Sequence, residues 1–294
     1  MRPAILPLSL FAALVLTAAC RRASPEADAD LATGLPWLFT NFEADDEDIA
    51  PMLRGLETQT YLSLELDGGV VPRSLEPELL TEDNVAEFTR PDRDLTLALP
   101  MAVARLSEFS GEDHNGIVMM PDQVPVEPYS PDLYDRSFVE GQDCYLDRSC
   151  VAVRTVNDLI KKNALMEVRY TMHKDFRWVD MSDDDTPRWA TIARSWVEES
   201  ATGDSGKATI QQAFTIEYTI PRDGRGFSLS TIETEDPPTH DSDGTGTIRL
   251  QALWSETTFE GISIGDTMVK GTIRAGIDKN FEAADDFLAE QDEG

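Results

Sequence analysis

Apolar residues occupy every second position in several runs of the second half of the chain. A period of two is that of a β-strand with one buried face, so these runs predict an antiparallel sheet with a solvated back. Residues 176–179 and 189–196 are expected to add strands. The alternating apolar positions are Met166, Val168 and Tyr170; Ile210, Phe214, Ile216, Tyr218 and Ile220; and Ile248, Leu250, Ala252 and Trp254.

The period changes after Gly265, where apolar residues begin to recur every three or four positions. That spacing places them on one face of a helix of about six turns, from Asp266 to about Glu290. A helix with such a face is expected to lie across the sheet. Its apolar stripe consists of Val269, Ile273, Ile277, Phe281, Ala284 and Leu288.

The first half is predicted to be helical and irregular. An acidic run at 43–48 precedes an apolar segment at 50–61, and negative charge favours a helix N-terminus. A second helix is expected over Leu95, Leu99, Leu106 and Phe109, and residues 111–135 read as a long irregular connection. The fold class is therefore α+β, an antiparallel sheet packed against a long C-terminal helix.

Several antiparallel strands followed by one long closing helix resemble the helix-grip pattern of START-type lipid-binding domains. The resemblance lies in the order of the elements and rests on no sequence motif. It implies an apolar ligand held between sheet and helix.

The first 22 residues resemble an export signal. Arg2 precedes an apolar run of about a dozen residues, too short for the roughly 20 that a transmembrane helix needs. Leu16, Ala18, Ala19 and Cys20 resemble the lipobox of bacterial lipoproteins, which implies acyl chains on Cys20 and an outer-membrane location. The alternative is an ordinary secretory signal cut near Ala19.

Composition divides the whole chain into four segments. We expect a signal peptide over 1–19 and a flexible tether over 20–35, rich in Ala, Asp and Glu. A helical and irregular region follows at 36–135, and the sheet and C-terminal helix at 136–294. Length leaves open whether these two form one domain.

The formal net charge is −30, from 55 acidic and 25 basic residues. This excludes nucleic acid as a natural partner and repels anionic headgroups, so membrane attachment has to come from the lipid. An acidic surface with scarce lysine is also typical of proteins from salty habitats, where screening relieves self-repulsion. Solubility alone is the other interpretation.

Cys144 and Cys150 remain once Cys20 is lipidated. An exported chain meets an oxidising compartment, and two cysteines this close in sequence are therefore expected to form a disulfide. A zinc site is disfavoured because no further thiols or nearby histidines complete four ligands.

Two further groups of residues are candidate binding sites. The strand tryptophans Trp178, Trp189, Trp196 and Trp254 are core residues by default, or line one apolar cavity. Asp241 and Asp243 offer oxygen ligands on a tight loop but miss the twelve-residue calcium pattern at both ends.

No catalytic residue and no cofactor is predicted. Gly203-Asp204-Ser205-Gly206 matches the nucleophile tetrapeptide of trypsin-like proteases, but the flanking residues do not, and a hairpin loop is favoured. The same segment misses the phosphate-binding loop pattern. The leading hypothesis is a non-enzymatic envelope lipoprotein that binds an apolar ligand or an envelope protein. The alternative is a lipid-anchored hydrolase whose site the sequence hides.

Overall fold

The computed structural model describes residues 30–66, 73–88, 93–163, 166–182, 187–222, 246–261 and 265–292. Two short 3-10 helices lie at Leu95–Leu97 and Val124–Val126. The α-helices are α1 (Leu31–Thr40), α2 (Asp46–Leu66), α3 (Glu82–Val85), α4 (Gly111–Val118) and α5 (Asp266–Asp292).

The strands form one antiparallel sheet in the order β1-β2-β9-β8-β6-β5-β4-β3, and β7 pairs with β8 beside this path. The fold class is α+β, as expected from the sequence. The strands are β1 (Arg73–Leu75), β2 (Leu99–Ser107), β3 (Tyr134–Glu140), β4 (Ala152–Lys162), β5 (Glu167–Asp180), β6 (Trp189–Trp196), β7 (Ala201–Thr202), β8 (Ala208–Pro221) and β9 (Thr247–Phe259).

The apolar face found by alternation packs under α1 and α2. Phe214, Ile216 and Trp254 are fully buried there against helix residues such as Phe39 and Leu53. The main core therefore joins the first half of the chain to the sheet.

Residues 31–35, expected in the tether, instead form the start of α1. The helix begins where the Asp30 side chain accepts a hydrogen bond from the Thr33 backbone, at 2.9 Å. Gly34 lets α1 approach α2 closely, since a Cβ there would lie 2.7 Å from Leu56 Cδ2. Leu35 is fully buried, which ties this segment to the core.

The opposite face of the sheet, expected to be solvated, is covered by α5. Ile277 and Phe281 are buried against Val103 of β2, with Leu253 and Ile273 packed around them. The C-terminal helix therefore lies across the sheet as predicted, with bounds close to those expected. The sheet is enclosed between α1–α2 and α5, because the chain carries two amphipathic helical layers.

The predicted helix over Leu95 to Phe109 is wrong, because residues 99–107 form β2. This strand pairs with both β1 and β9. Its middle residues, 101–104, are buried on both faces. A short continuous apolar run of this kind has no period that distinguishes a buried strand from a helix.

Two loop predictions are resolved by the structure. Residues 203–206 form the turn between β7 and β8, where the Gly206 amide donates to the Gly203 carbonyl. Residues 111–135 contain α4 and the Val124–Val126 turn within an otherwise irregular connection. Residues 222–226, whose Asp-Gly pair is typical of a hairpin turn, lie mostly outside the described residues.

Candidate functional site: a cavity under the C-terminal helix

A cavity of about 300 Å³ lies between α5 and the face of the sheet that α5 covers. The loop after α4 and the first residues of β3 close its side. Its apolar lining is spread over sheet and helix and includes Met172, Phe176, Leu253, Ile273, Ile277 and Phe281.

Some residues of the lining have small side chains or none. Ala193 and Ala213 lie on the floor, and Gly276 lies on the helix above it. Tyr129 packs against Gly276, where a Cβ would come within 3.7 Å of its ring. Larger side chains at Ala193 and Ala213 would occupy part of the space between helix and sheet.

An ion pair lies on the cavity floor. Lys174 Nζ of β5 donates to both carboxylate oxygens of Glu217 of β8, at 2.8 and 2.9 Å. The side chains are only 12% and 25% exposed. The Lys174 ammonium also lies 5.1 Å from the centre of the Phe176 ring. The floor thus combines a donor, an acceptor and an aromatic surface.

Arg136 of β3 is a second cation in the wall and is 6% exposed. Its Nε donates to Asn157 Oδ1 at 2.9 Å and its Nη1 to the Val118 carbonyl at 2.6 Å. The guanidinium lies 5.0 Å from the centre of the Phe176 ring. Its protein acceptors are therefore neutral oxygens.

A polar cluster anchors α5 at one end of the cavity. Arg249 Nη1 donates to Asp285 Oδ1 at 3.2 Å. The central carbon of the same guanidinium lies 4.4 Å from the centre of the Phe281 ring. Ser107 Oγ donates to the same carboxylate at 2.9 Å. Burial raises the pKa of Asp285, and the neighbouring Arg249 opposes that shift. The cluster links β2, β9 and α5.

His114 of α4 joins this cluster, with Nε2 3.0 Å from Ser107 Oγ and 4.0 Å from Asp285 Oδ1. Burial holds its pKa well below 6.5, and the positive charge of Arg249 acts in the same direction. In a nucleophilic triad the carboxylate bonds the other ring nitrogen and orients the base. Here one nitrogen faces both partners, so the arrangement is not that of a triad.

The structure does not bring the four strand tryptophans together, and none is among the described residues that line the cavity. Trp254 lies on the opposite face, fully buried under α1, where its Nε1 donates to the Glu78 carbonyl at 2.7 Å. Trp196 stacks on His173 with ring centres 5.2 Å apart.

The other two tryptophans lie near the disulfide loop. Trp178 is 2% exposed, stacks on Tyr145, and donates to the Tyr145 carbonyl at 2.8 Å. Trp189 packs in the same cluster and carries the Arg148 guanidinium 5.2 Å from its ring. All four therefore have packing roles, at three separate places.

The predicted Cys144–Cys150 disulfide is confirmed, with a Cα–Cα distance of 5.3 Å. It closes the loop that carries Tyr145, which is fully buried. The bridge thus holds an aromatic residue in place under Trp178.

The remaining predicted site residues, Cys20, Asp241 and Asp243, lie outside the described residues. Within the described ranges, no group of three His, Cys, Asp or Glu side chains could hold a metal ion. No helix in the same ranges is long and apolar enough to cross a bilayer.

Sequence reasoning missed Arg136, Lys174 and Glu217. Glu217 alternates with the apolar residues of a predicted strand and was therefore assigned to solvent, whereas Arg136 and Lys174 lie outside the predicted strands. The sequence contained one signal that the second face of the sheet is covered. The sheet has one strongly apolar face, but two predicted helices, at 50–61 and 266–290, each need a surface to pack against. Two helical layers on one sheet require both faces to be covered.

No protein-family profile matches this chain, and no curated protein sequence matches it. Solved structures with a similar arrangement include the STAR-related lipid transfer protein from Xanthomonas axonopodis. Its identity is 12% and its TM-score 0.39, over 66% of this chain and 87% of that one.

Two further similar structures have comparable scores. A Thermus thermophilus protein shows 13% identity and a TM-score of 0.35, over 65% of this chain and 98% of that one. The lipid transfer and protein localization domain of human StarD13 shows 10% identity and a TM-score of 0.34, over 64% and 77%. At these values the similarity assigns neither a family nor a ligand.

Proposed function

We propose that this protein binds a ligand that is apolar along most of its length, in the cavity under α5. The observation that carries the proposal is the cavity itself, whose lining combines aliphatic and aromatic side chains of sheet and helix with polar and charged ones. That mixture is typical of small-molecule sites. Its 300 Å³ is about twice the roughly 150 Å³ of an apolar protein cavity that binds benzene.

The hydrolase alternative has less support. Ser107 and His114 are in hydrogen-bond contact, but Ser107 is 4% exposed and donates to Asp285. Within the cavity, Ser195 and Thr215 share a hydrogen bond of 2.6 Å with each other. These contacts suit a structural role: the single hydroxyl proton of Ser107 goes to Asp285 rather than to His114, and Ser195 and Thr215 are bonded to each other.

Native mass spectrometry of the purified protein tests ligand binding without assuming an identity. We expect a non-covalent mass increment that is lost on unfolding, from a ligand retained during purification. Protein that stays at its apo mass after incubation with single-chain amphiphiles would contradict the proposal.

We further propose that acyl chains on Cys20 attach the protein to the outer membrane. The lipobox-like Leu16 to Cys20 segment supports this, and a multi-chain anchor holds stably where one acyl chain does not. The Cys20→Ser variant is expected to leave the membrane fraction or to stay unprocessed. Mature wild-type protein without acyl mass would show that the anchor is absent.

A further inference from the structure

The charges that line the cavity do not balance. Of its four Lys and Arg side chains, three are paired with carboxylates and one is not. The pairs are Lys161 with Glu127 at 3.6 Å, Lys174 with Glu217 at 2.8 Å, and Arg249 with Asp285 at 3.2 Å. The fourth side chain is Arg136, which forms no ion pair with any described residue.

An unpaired guanidinium in this position is unusual. Arg136 is 6% exposed, and removal of a charge from water is costly unless an opposite charge compensates it. The Phe176 ring at 5.0 Å and two neutral acceptors compensate it only in part. The chain has a large excess of acidic residues, 55 against 25, yet places none of the described ones beside this guanidinium.

We propose that the ligand of this cavity is a single-chain amphiphile with one negative charge, a fatty carboxylate, and that Arg136 binds its headgroup. This rests on the proposed function, because it names the class of ligand that the cavity takes. Arginine suits the task because its planar fork forms two parallel hydrogen bonds to a carboxylate. The apolar chain then runs between Phe176 and the α5 residues Ile273 and Ile277.

One negative charge matches the one uncompensated positive charge. A phosphate monoester carries about −1.5 to −2 at neutral pH and would leave an excess inside the cavity. The surface of the protein cannot explain a preference for anions, since its net charge of −30 repels them. Any such preference therefore has to arise in the cavity.

Displacement of a neutral fluorescent probe, N-phenylnaphthylamine, from the purified protein measures these preferences. The competitors share one chain and differ in headgroup: oleate, oleyl alcohol, oleylamine and oleoyl lysophosphatidate. We expect oleate to displace the probe at about tenfold lower concentration than the alcohol, as one charged hydrogen-bonded contact provides. Oleylamine should be the weakest competitor.

Substitution of the arginine assigns the preference to it. Arg136→Gln should bind oleate and oleyl alcohol about equally, and Arg136→Lys should keep part of the preference. The control Arg169→Gln removes an exposed arginine on β5 that pairs with Asp158, and should bind as wild type. If Arg136→Gln fails to fold, the wild-type ranking and the lysine variant still decide.

The outcomes separate the two proposals. Equal binding of oleate and oleyl alcohol to the wild type would overturn the headgroup assignment and leave the ligand cavity intact. Tighter binding of lysophosphatidate than of oleate would overturn the claim that the ligand carries one negative charge to match Arg136. No displacement by any competitor, with no binding of the probe, would overturn the proposed function itself.

Discussion

Lys174 and Glu217 lie on strands that are not neighbours, and their side chains meet across β6 under α5, with Nζ 2.8 Å from Oε1. Glu217→Gln leaves the ammonium without its carboxylate in a largely dehydrated place. We expect a loss of about 2–3 kcal/mol in the free energy of unfolding, measured with urea.

Glu167→Gln is the control for that variant. Glu167 is exposed and lies 3.5 Å from Lys162, itself 44% exposed. Exposed pairs contribute about 0–1 kcal/mol, and one negative charge less reduces the repulsion within an acidic chain. An equal effect of the two variants would mean that the Lys174–Glu217 pair is solvated.

The docking of α5 can be tested with one charge on each side of the helix. Phe281→Asp places a carboxylate where a buried ring was, and should cost at least about 3 kcal/mol. In a chain of this size that lowers the melting temperature by roughly 6–12 °C. Lys279→Asp, on the exposed side of α5, should change it far less. Equal melting temperatures would mean that the helix is not docked.

His114 predicts a pH dependence of stability. Its pKa is well below 6.5 in the folded protein, so the unfolded chain binds this proton first as the pH falls. The stabilising contribution is therefore complete above about pH 6.5 and is lost as the pH decreases towards the folded-state pKa.

The measurement is the free energy of unfolding between about pH 4.5 and 7.5, for wild type and His114→Gln. The wild type should lose up to about 1.4 kcal/mol per pH unit more than the variant below 6.5. Asp285 and Arg249 are present in both proteins, so their titration largely cancels in the difference. Parallel curves would show that His114 is protonated equally in both states.

The disulfide should contribute stability through a short loop. Closure of a loop this size provides about 2 kcal/mol in the chain-entropy model. We expect Cys144→Ala/Cys150→Ala to unfold at correspondingly lower urea, with a changed fluorescence of Trp178, which rests on Tyr145 of that loop. In the wild type, alkylation without reductant should label neither thiol. Two free thiols in the folded, air-exposed protein would contradict the bridge.

The alternation in β8 and the three-to-four spacing in α5 were enough to predict the sheet, the long helix and that the helix lies across the sheet, but not which face it covers. Both patterns are local, and each is set by a single buried face. β2 could not be predicted in this way, because residues 101–104 are buried on both sides and have no period.

The cavity could not be predicted from the sequence, for a related reason. Thr215 and Glu217 alternate with buried residues as solvent-facing residues do, and only the position of α5 turns their face into a cavity floor. The tryptophans were chosen by size, yet large rings fill space, and all four pack outside the lining of the cavity.

The most direct test of a ligand site under α5 is the binding of N-phenylnaphthylamine to two variants that add the same ring to the sheet. Ala213→Phe places it in the cavity, and Thr171→Phe places it on an exposed strand position that does not line the cavity. We predict that Ala213→Phe stays folded and loses at least about tenfold in probe affinity, as a lost apolar contact of this size implies. Thr171→Phe should bind as wild type. Equal probe affinity in both folded variants would contradict a ligand site under α5.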